Sequence, residues 1–295
     1  MKPQRILFPT DLTRNAQTVL GHAVFHADVY EAELHMLHNV VGEDKFNADP
    51  DGILERLDES ARLQMAESLE QHRDNVLAIR EHTRNQPSTA EAILAFINEL
   101  AIDFVIMGNH GRSGLRQFFL GSVAEEVVRN APCPVLTIRA GERIKVQPIR
   151  KILVPIDFSP QSKKAWAEAA QFAANHHAKL HLLHVIQNAF HPMGPEPGLQ
   201  PVGEILPELE SGRCDLLAEM AAEYPDAEAH CMVEVGSAYQ NIVEHAEREG
   251  MDMIIMGSHG YSGLTHLILG STAERVMRMA HCPVMIVKCN KTDDV

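Results

Sequence analysis

The chain opens on a short apolar run, Ile6 to Pro9, that reads as a buried strand. A helical stripe follows, with Ala16, Val19, Leu20, Ala23, Val24 and Ala27 at i, i+3, i+4, i+7 spacing. Leu34 to Val40 is a second strand, and residues 53–72 form a polar amphipathic helix with Leu57, Ala61 and Leu69 among its apolar positions. A weak strand near Val76 to Ile79, a helix near Ala90 to Leu100, a strand at Phe104 to Met107, a helix from Ser122 to Asn130 and a strand at Val135 to Ile138 complete the pattern. Strand alternating with helix predicts a parallel sheet covered on both faces, an open doubly wound α/β domain of about five strands.

The same order then starts again. "RILFPTDLT" (Arg5 to Thr13) pairs with "KILVPIDFS" (Lys151 to Ser159), "ELHMLHNV" with "KLHLLHVI", and "APCPVLTIR" (Ala131 to Arg139) with "AHCPVMIVK" (Ala280 to Lys288). A repeat this long is a duplicated domain, since solenoid repeats run at roughly 20–50 residues. Two tandem domains are predicted, residues 1–142 and 148–295, with the stretch around Ala140 to Ile149 as linker. The length of 295 residues agrees, at about 150 residues per domain.

Each half also carries a glycine-bearing loop. "MGNHGRSGLRQFFLGSVAEE" (Met107 to Glu126) holds Gly108, Gly111 and Gly121, and "MGSHGYSGLTHLILGSTAER" (Met256 to Arg275) holds Gly257, Gly260 and Gly270 at the same spacing. Glycine costs about 1 kcal/mol in an element interior, so its recurrence points to backbone that must come close to something. After the last glycines stand Ser122-Val123-Ala124-Glu125 and Ser271-Thr272-Ala273-Glu274, the S/T-x-x-E pattern of a capping box. A helix N-terminus bares N–H groups and about half a positive charge, so a glycine-lined approach to it suits an anion, phosphate above all. The alternative is that Ser122 and Ser271 only cap a helix, which leaves the upstream glycines without a reason. Ligands of doubly wound sheets lie beyond the C-terminal strand ends where the strand order reverses. Asp11 and Asp157, just past the first strand of each half, are expected on that edge together with the loops.

Gly-x2-Gly-x9-Gly-Ser, placed after "IMG" and before "CPV", resembles the nucleotide loop of the universal stress protein family, and "PTD", "PID" and "LH" support the likeness. It covers nearly the whole chain, as a tandem member. The resemblance implies two Rossmann-like sheets, adenine nucleotide alpha hydrolase-like, each of strand order 3-2-1-4-5. It implies pairing of last strands across a dimer; here Val135 to Ile138 and Val284 to Val287 could pair within one chain as a pseudo-dimer, a homodimer being a further option. The implied cofactor is adenine nucleotide, ATP or AMP/ADP, with room for Mg²⁺. Its phosphates would lie on Gly108, Gly111, Gly121 and Ser122 and on Gly257, Gly260, Gly270 and Ser271, with Met107, Arg112, Val123, Met256 and Thr272 among the other residues of the nucleotide sites. The adenosine end would meet Pro9, Thr10 and Asp11, or Pro155, Ile156 and Asp157. At the adenine-lining position, apolar in ATP-binding members, stand Asn39 and Val185. Arg112 and Arg116 are matched by Tyr261 and Thr265. The first half thus has the charge without the apolar lining and the second the reverse, which suits AMP or ADP there better than ATP. The implied role is a cytoplasmic stress-response sensor or regulator with an unknown protein partner. The alternative is a scaffold or chaperone-like protein whose loops no longer bind nucleotide.

Composition narrows the choices. A formal charge of -14 argues against nucleic acid and against anionic membrane surfaces. No apolar run approaches the roughly 18 residues of a membrane span, and "MKPQRILFPTD" is no signal peptide, so the cytoplasm is expected. Five cysteines with no CxxC pair fit reduced thiols, with Cys133 and Cys282 as small buried hydrophobes. There is no G-x-x-x-x-G-K-[ST], so fast ATP hydrolysis is not expected, and only slow turnover is left open. His35 and His38, like His181 and His184, are three apart on a strand and face opposite ways, which predicts structural roles rather than a metal site. His110 and His259, inside the glycine loops, could touch a ligand or simply face solvent. The Pro- and Gly-rich stretch from Asn188 to Leu209 reads as an excursion near the second site, a lid or a plain surface loop.

Overall fold

The computed structural model describes residues 2–12, 14–41, 78–109, 120–139, 146–187, 202–260 and 269–288. The helix predicted at 53–72 lies outside them, as do His110, Gly111, Arg112, Arg116, Tyr261 and Thr265. The first half runs β1 (Arg5–Thr10), α1 (Arg14–Tyr30), β2 (Glu33–Asn39), β3 (Ala78–Arg84), α2 (Thr89–Glu99), β4 (Phe104–Gly108), α3 (Ser122–Asn130) and β5 (Val135–Ile138). The second runs β6 (Lys151–Pro155), α4 (Pro160–His176), β7 (Lys179–Ile186), α5 (Val202–Ala222), β8 (Ala229–Val235), α6 (Ala238–Arg248), β9 (Met253–Gly257), α7 (Ser271–Met279) and β10 (Val284–Val287).

The strands form a single sheet of order β3-β2-β1-β4-β5-β10-β9-β6-β7-β8, so the predicted 3-2-1-4-5 order appears twice, joined edge to edge. Pairing is parallel within each half. Among the described strands only the joint is antiparallel, with Val284 opposite Thr137 and Ile286 opposite Val135. On β1, Ile6 and Phe8 enter one core layer and Leu7 the other, and Ile152, Val154 and Leu153 of β6 divide in the same way. A strand buried on both faces has no polar side, which is why it appears as an apolar run rather than an alternation. One layer holds Trp166 and Phe172 of α4, the other Phe96 of α2 and Val276 of α7.

Two sequence expectations are corrected. The weak strand placed near Val76 to Ile79 is Ala78–Arg84, an edge strand whose residues AIREHTR are mostly polar. Its ladder to β2, from Glu33↔Ala78 to Asn39↔Arg84, marks it where hydropathy does not. The excursion from Asn188 to Leu209 is helical from Val202 onward, with Pro207 inside α5. A proline this early removes a single i→i−4 bond, and the helix continues past it.

The halves also meet through side chains at the joint and on both faces of the sheet. Asn109 Nδ2 donates to Met277 O at 3.2 Å and Thr137 Oγ1 to Val284 O at 3.1 Å. Between α1 and α4, the buried His26 ring lies among Tyr30, Phe104, Phe172 and His176. Burial pushes the His22 and His176 imidazoles down to about 4, and His26 well below its ordinary range. No described helix is long and apolar enough to cross a membrane.

Candidate functional site

A crevice opens where the sheet changes direction. β1 and β4 pair only at Ile6↔Phe104 and Leu7↔Val105, and β6 and β9 only at Ile152↔Met253 and Leu153↔Ile254. Beyond those pairs both strands continue toward their C-terminal ends without a ladder between them. This is the place at which a doubly wound sheet can admit a ligand.

The turn after the first strand is fixed the same way in both halves. His38 Nδ1 meets Thr10 O at 2.9 Å, and His184 Nδ1 meets Ile156 O at 2.7 Å. A carbonyl can only accept, so Nδ1 carries the proton in each case. The structural role expected of these histidines is thereby specified: each "LH" pins the residue ahead of the aspartate. The other members of the pairs face elsewhere, His35 Nδ1 lying 3.1 Å from His82 Nε2 and the His181 ring 5.2 Å from that of His230. Among the described residues no group of three or more His, Cys, Asp and Glu could hold a metal ion. Past each pin the backbone takes a left-handed step, at Leu12 (φ 61°) and Phe158 (φ 65°). Asp157 Oδ1 accepts from Ser159 N at 3.0 Å and from Ser159 Oγ at 2.5 Å, and Ser159 Oγ accepts in turn from Ser162 N, opening α4.

The glycines of the second half have a reason in space. A Cβ on Gly260 would come within 2.3 Å of Asp157 Oδ2. On Gly257 it would lie 3.0 Å from the Gln161 carbonyl carbon, in the first turn of α4, and on Gly270 3.2 Å from Ser258 O. Asp157 and the glycine loop, far apart in sequence, therefore share one edge of the crevice. Each loop is fastened where it leaves and returns, by Gly121 N to Asn109 O at 2.7 Å and by Gly270 N to Ser258 O at 2.8 Å. His259 Nδ1 lies 2.8 Å from Ser258 Oγ.

The capping box is not formed. The N-cap residues of α3 and α7 are Gly121 and Gly270, and Ser122 and Ser271 are the first helical residues. The reciprocal arm has no donor to meet, because the glycine N–H already serves the loop closure. Glu125 and Glu274 pair instead with Arg129 and Arg278 one turn on. A glycine N-cap has no side chain to offer, so the first-turn amides of both helices receive no cap from that position.

The remaining predicted residues line the same edge unevenly. Pro9, Thr10 and Asp11, like Pro155 and Ile156, occupy the strand ends and the turns that follow. Met107 and Met256 are buried near the C-terminal ends of β4 and β9, while Val123 and Thr272 lie in the first turns of α3 and α7. Val185 packs on the core layer of α6 and α7. Asn39 is tied down: its Nδ2 donates to Gln86 O at 3.0 Å and Thr89 Oγ1 at 3.2 Å, and its Oδ1 accepts from Gln86 N at 3.0 Å. Arg213 of α5, unmarked in the sequence, stands over the Phe158 ring at 5.4 Å. Cys133 and Cys282 are buried as expected, and burial pushes both thiols up to about 12.

Comparison with known proteins matches residues 2–139 and 148–288, one after the other, to the Universal stress protein family. A universal stress protein of Mycolicibacterium smegmatis is 32% identical over 188 residues, 62% of this chain and 61% of that protein. The chain thus spans about three fifths of the length of such relatives. One from Methanocaldococcus jannaschii is 33% identical over 157 residues, covering 53% of this chain and 89% of that protein. The crystal structure of a universal stress protein from Archaeoglobus fulgidus shares the fold, with a TM-score of 0.66 and 23% identity over 99% of this chain and 98% of that one. Motif, topology and both matched segments agree, and the chain belongs to the universal stress protein family, whose domain it carries twice in tandem.

Proposed function

We propose that the chain binds adenine nucleotide, ATP, ADP or AMP, in the crevice of each half, and acts as a cytoplasmic stress-response sensor or regulator read by a protein partner. The observation that carries this reading is the crowding of Gly260 against Asp157, beside a helix whose N-cap is itself a glycine. First-turn amides that no N-cap side chain takes suit phosphate, and a carboxylate at the head of the neighbouring turn suits a sugar hydroxyl or a base N–H. In this reading Gly257, Gly260, Gly270, Ser271 and Thr272 hold the phosphates of the second site, and Pro155, Ile156, Asp157, Val185 and Met256 the adenosine. Pro9, Thr10, Asp11, Asn39, Met107, Gly108, Gly111, Arg112, Gly121, Ser122 and Val123 are their counterparts in the first. Mg²⁺ would accompany a triphosphate only. No residue is assigned to bond cleavage, and turnover is slow or absent; phosphate release sustained on the order of 10 s⁻¹ would contradict that.

Thermal unfolding tests the reading. A ligand at a hundred times its Kd stabilises the native state by about 2.7 kcal/mol. AMP, ADP or ATP should raise the Tm. Gly260→Val with Gly270→Val should remove the part due to the second half, and Gly111→Val with Gly121→Val the part due to the first. No shift with any of the three nucleotides would overturn the proposal and leave the scaffold reading.

A further inference from the structure

Helix α5 reaches the turn after β6 through Arg213, which lies over Phe158. From Pro207 to Leu216 its residues are exposed or half-buried, and its buried side chains begin at Leu217 and Met220. At about 1.5 Å per residue this is roughly 15 Å of helix that does not rest on the core. Since α5 follows β7, whose C-terminal end lies on the crevice edge, its first half stands as a wall beside that edge.

Arg213 is placed on this wall. Its guanidinium lies over Phe158, 5.4 Å from the ring centre, and the same ring is 4.7 Å from the His184 imidazole. Phe158 follows Asp157, and Asp157 in turn abuts Gly260. The guanidinium therefore stands on the very turn that shapes the site. The His184 imidazole is held below its usual range, chiefly by burial and then by the charge of Arg213, while its bond to Ile156 O and the nearby Asp157 oppose the shift. Among the described residues Arg213 forms no ion pair with a carboxylate, although the chain carries a formal charge of -14. A cation without a carboxylate partner among the described residues, beside the crevice of so acidic a protein, is suited to an incoming anion.

We propose that Arg213 is the anion-recognising residue of the second half: it leaves the face of Phe158 to contact the phosphate of a bound nucleotide, and so supplies the charge that Tyr261 lacks where the first half has Arg112. This rests on the nucleotide reading above. An exposed cation–π contact is the weaker of the two interactions, and a bidentate guanidinium–phosphate contact the stronger, so the exchange is favourable.

The test uses the full chain carrying Gly121→Val, or Gly111→Val should that variant not fold, to silence the first site, titrated calorimetrically with AMP and with adenosine. Arg213→Ala should weaken AMP by about tenfold and leave adenosine within about twofold, and Arg213→Lys should restore part of the loss. Equal weakening of both ligands, which a merely packing role of the wall would give, or no change in AMP, would overturn the proposal. If the chain with Arg213 intact binds neither ligand, the nucleotide reading of this half fails first and the role of Arg213 falls with it.

Discussion

The two halves keep the same turn and differ in the residues around it. In both, a histidine from the second strand holds the carbonyl ahead of the aspartate, and a glycine N–H closes the loop before the last helix. At the end of the second strand they part. Asn39 spends its amide on Gln86 and Thr89, bracing the chain ahead of α2, whereas Val185 in the same position has only methyl groups, which pack against the core layer. The second half braces its corresponding corner differently, through Gly236 N to Ile186 O and through Asn241 and His245 on Glu234. What depends on backbone geometry has been kept in both copies, and what depends on side-chain chemistry has diverged. That is the pattern of a duplicated scaffold whose two site edges have diverged in their side chains.

The largest effect is expected where backbone meets backbone. A Cβ at Gly257 would sit 3.0 Å from a carbonyl carbon and 3.1 Å from its oxygen, neither of which can swing aside. Gly257→Val should cost about 3 kcal/mol, read from the urea midpoint, and the same change at Gly108 asks whether the first half is as tightly built. An unchanged midpoint at either position would break the equivalence of the two copies.

Acid acts on the seam that both copies share. His22 and His176 are held at about 4 against an ordinary 6.5, chiefly by burial, and burial holds His26 well below that ordinary value too. As the pH falls the unfolded chain takes up these protons first. The stability gained by keeping the rings neutral is fully present above about pH 6.5 and is lost toward pH 4, on the order of 3 kcal/mol for His22 alone. Urea midpoints measured between pH 7 and 4 should fall steadily, and His22→Leu should flatten the slope. A midpoint indifferent to pH over that window would remove the buried cluster from the account.

Smaller changes sharpen the contrast between the sites. His184→Ala and His38→Ala each delete a buried hydrogen bond and should cost about 2 kcal/mol, with the nucleotide-induced Tm shift shrinking in the half affected. Val185→Asn should weaken nucleotide binding in the second half by about tenfold, since a polar amide replaces an apolar wall without the partners that Asn39 has. Equal binding by Val185→Asn would show that this position does not line the base. Least of all, Gly212→Ala should raise stability by up to about 1 kcal/mol, because a Cβ there meets nothing and the residue is mid-helix.

Much of this is legible in the sequence. Ile6 to Pro9, Phe104 to Met107 and Val135 to Ile138 stand out because strands covered on both faces are apolar throughout. The glycine spacing predicts close approach, and Gly260 against Asp157 supplies it in the second half. Other features escaped for physical reasons. β3 is a polar edge strand, recognisable only by its partner. The opening of α5 hides behind Pro207, whose local signal is a turn. The S-x-x-E pattern misleads because the N-cap slot falls one residue earlier, on a glycine whose N–H is already taken. "LH" is visible as a repeat, yet the carbonyl it holds belongs to another strand's end. Arg213 carries no motif at all, since its meaning comes from the ring beneath it.

Native mass spectrometry of the full chain with added AMP tests the central claim most directly. The account predicts added mass of bound nucleotide, reduced by Gly260→Val with Gly270→Val and abolished when Gly111→Val and Gly121→Val are combined with them. Bound AMP that survives all four substitutions, or no bound AMP on the unaltered chain, would contradict it.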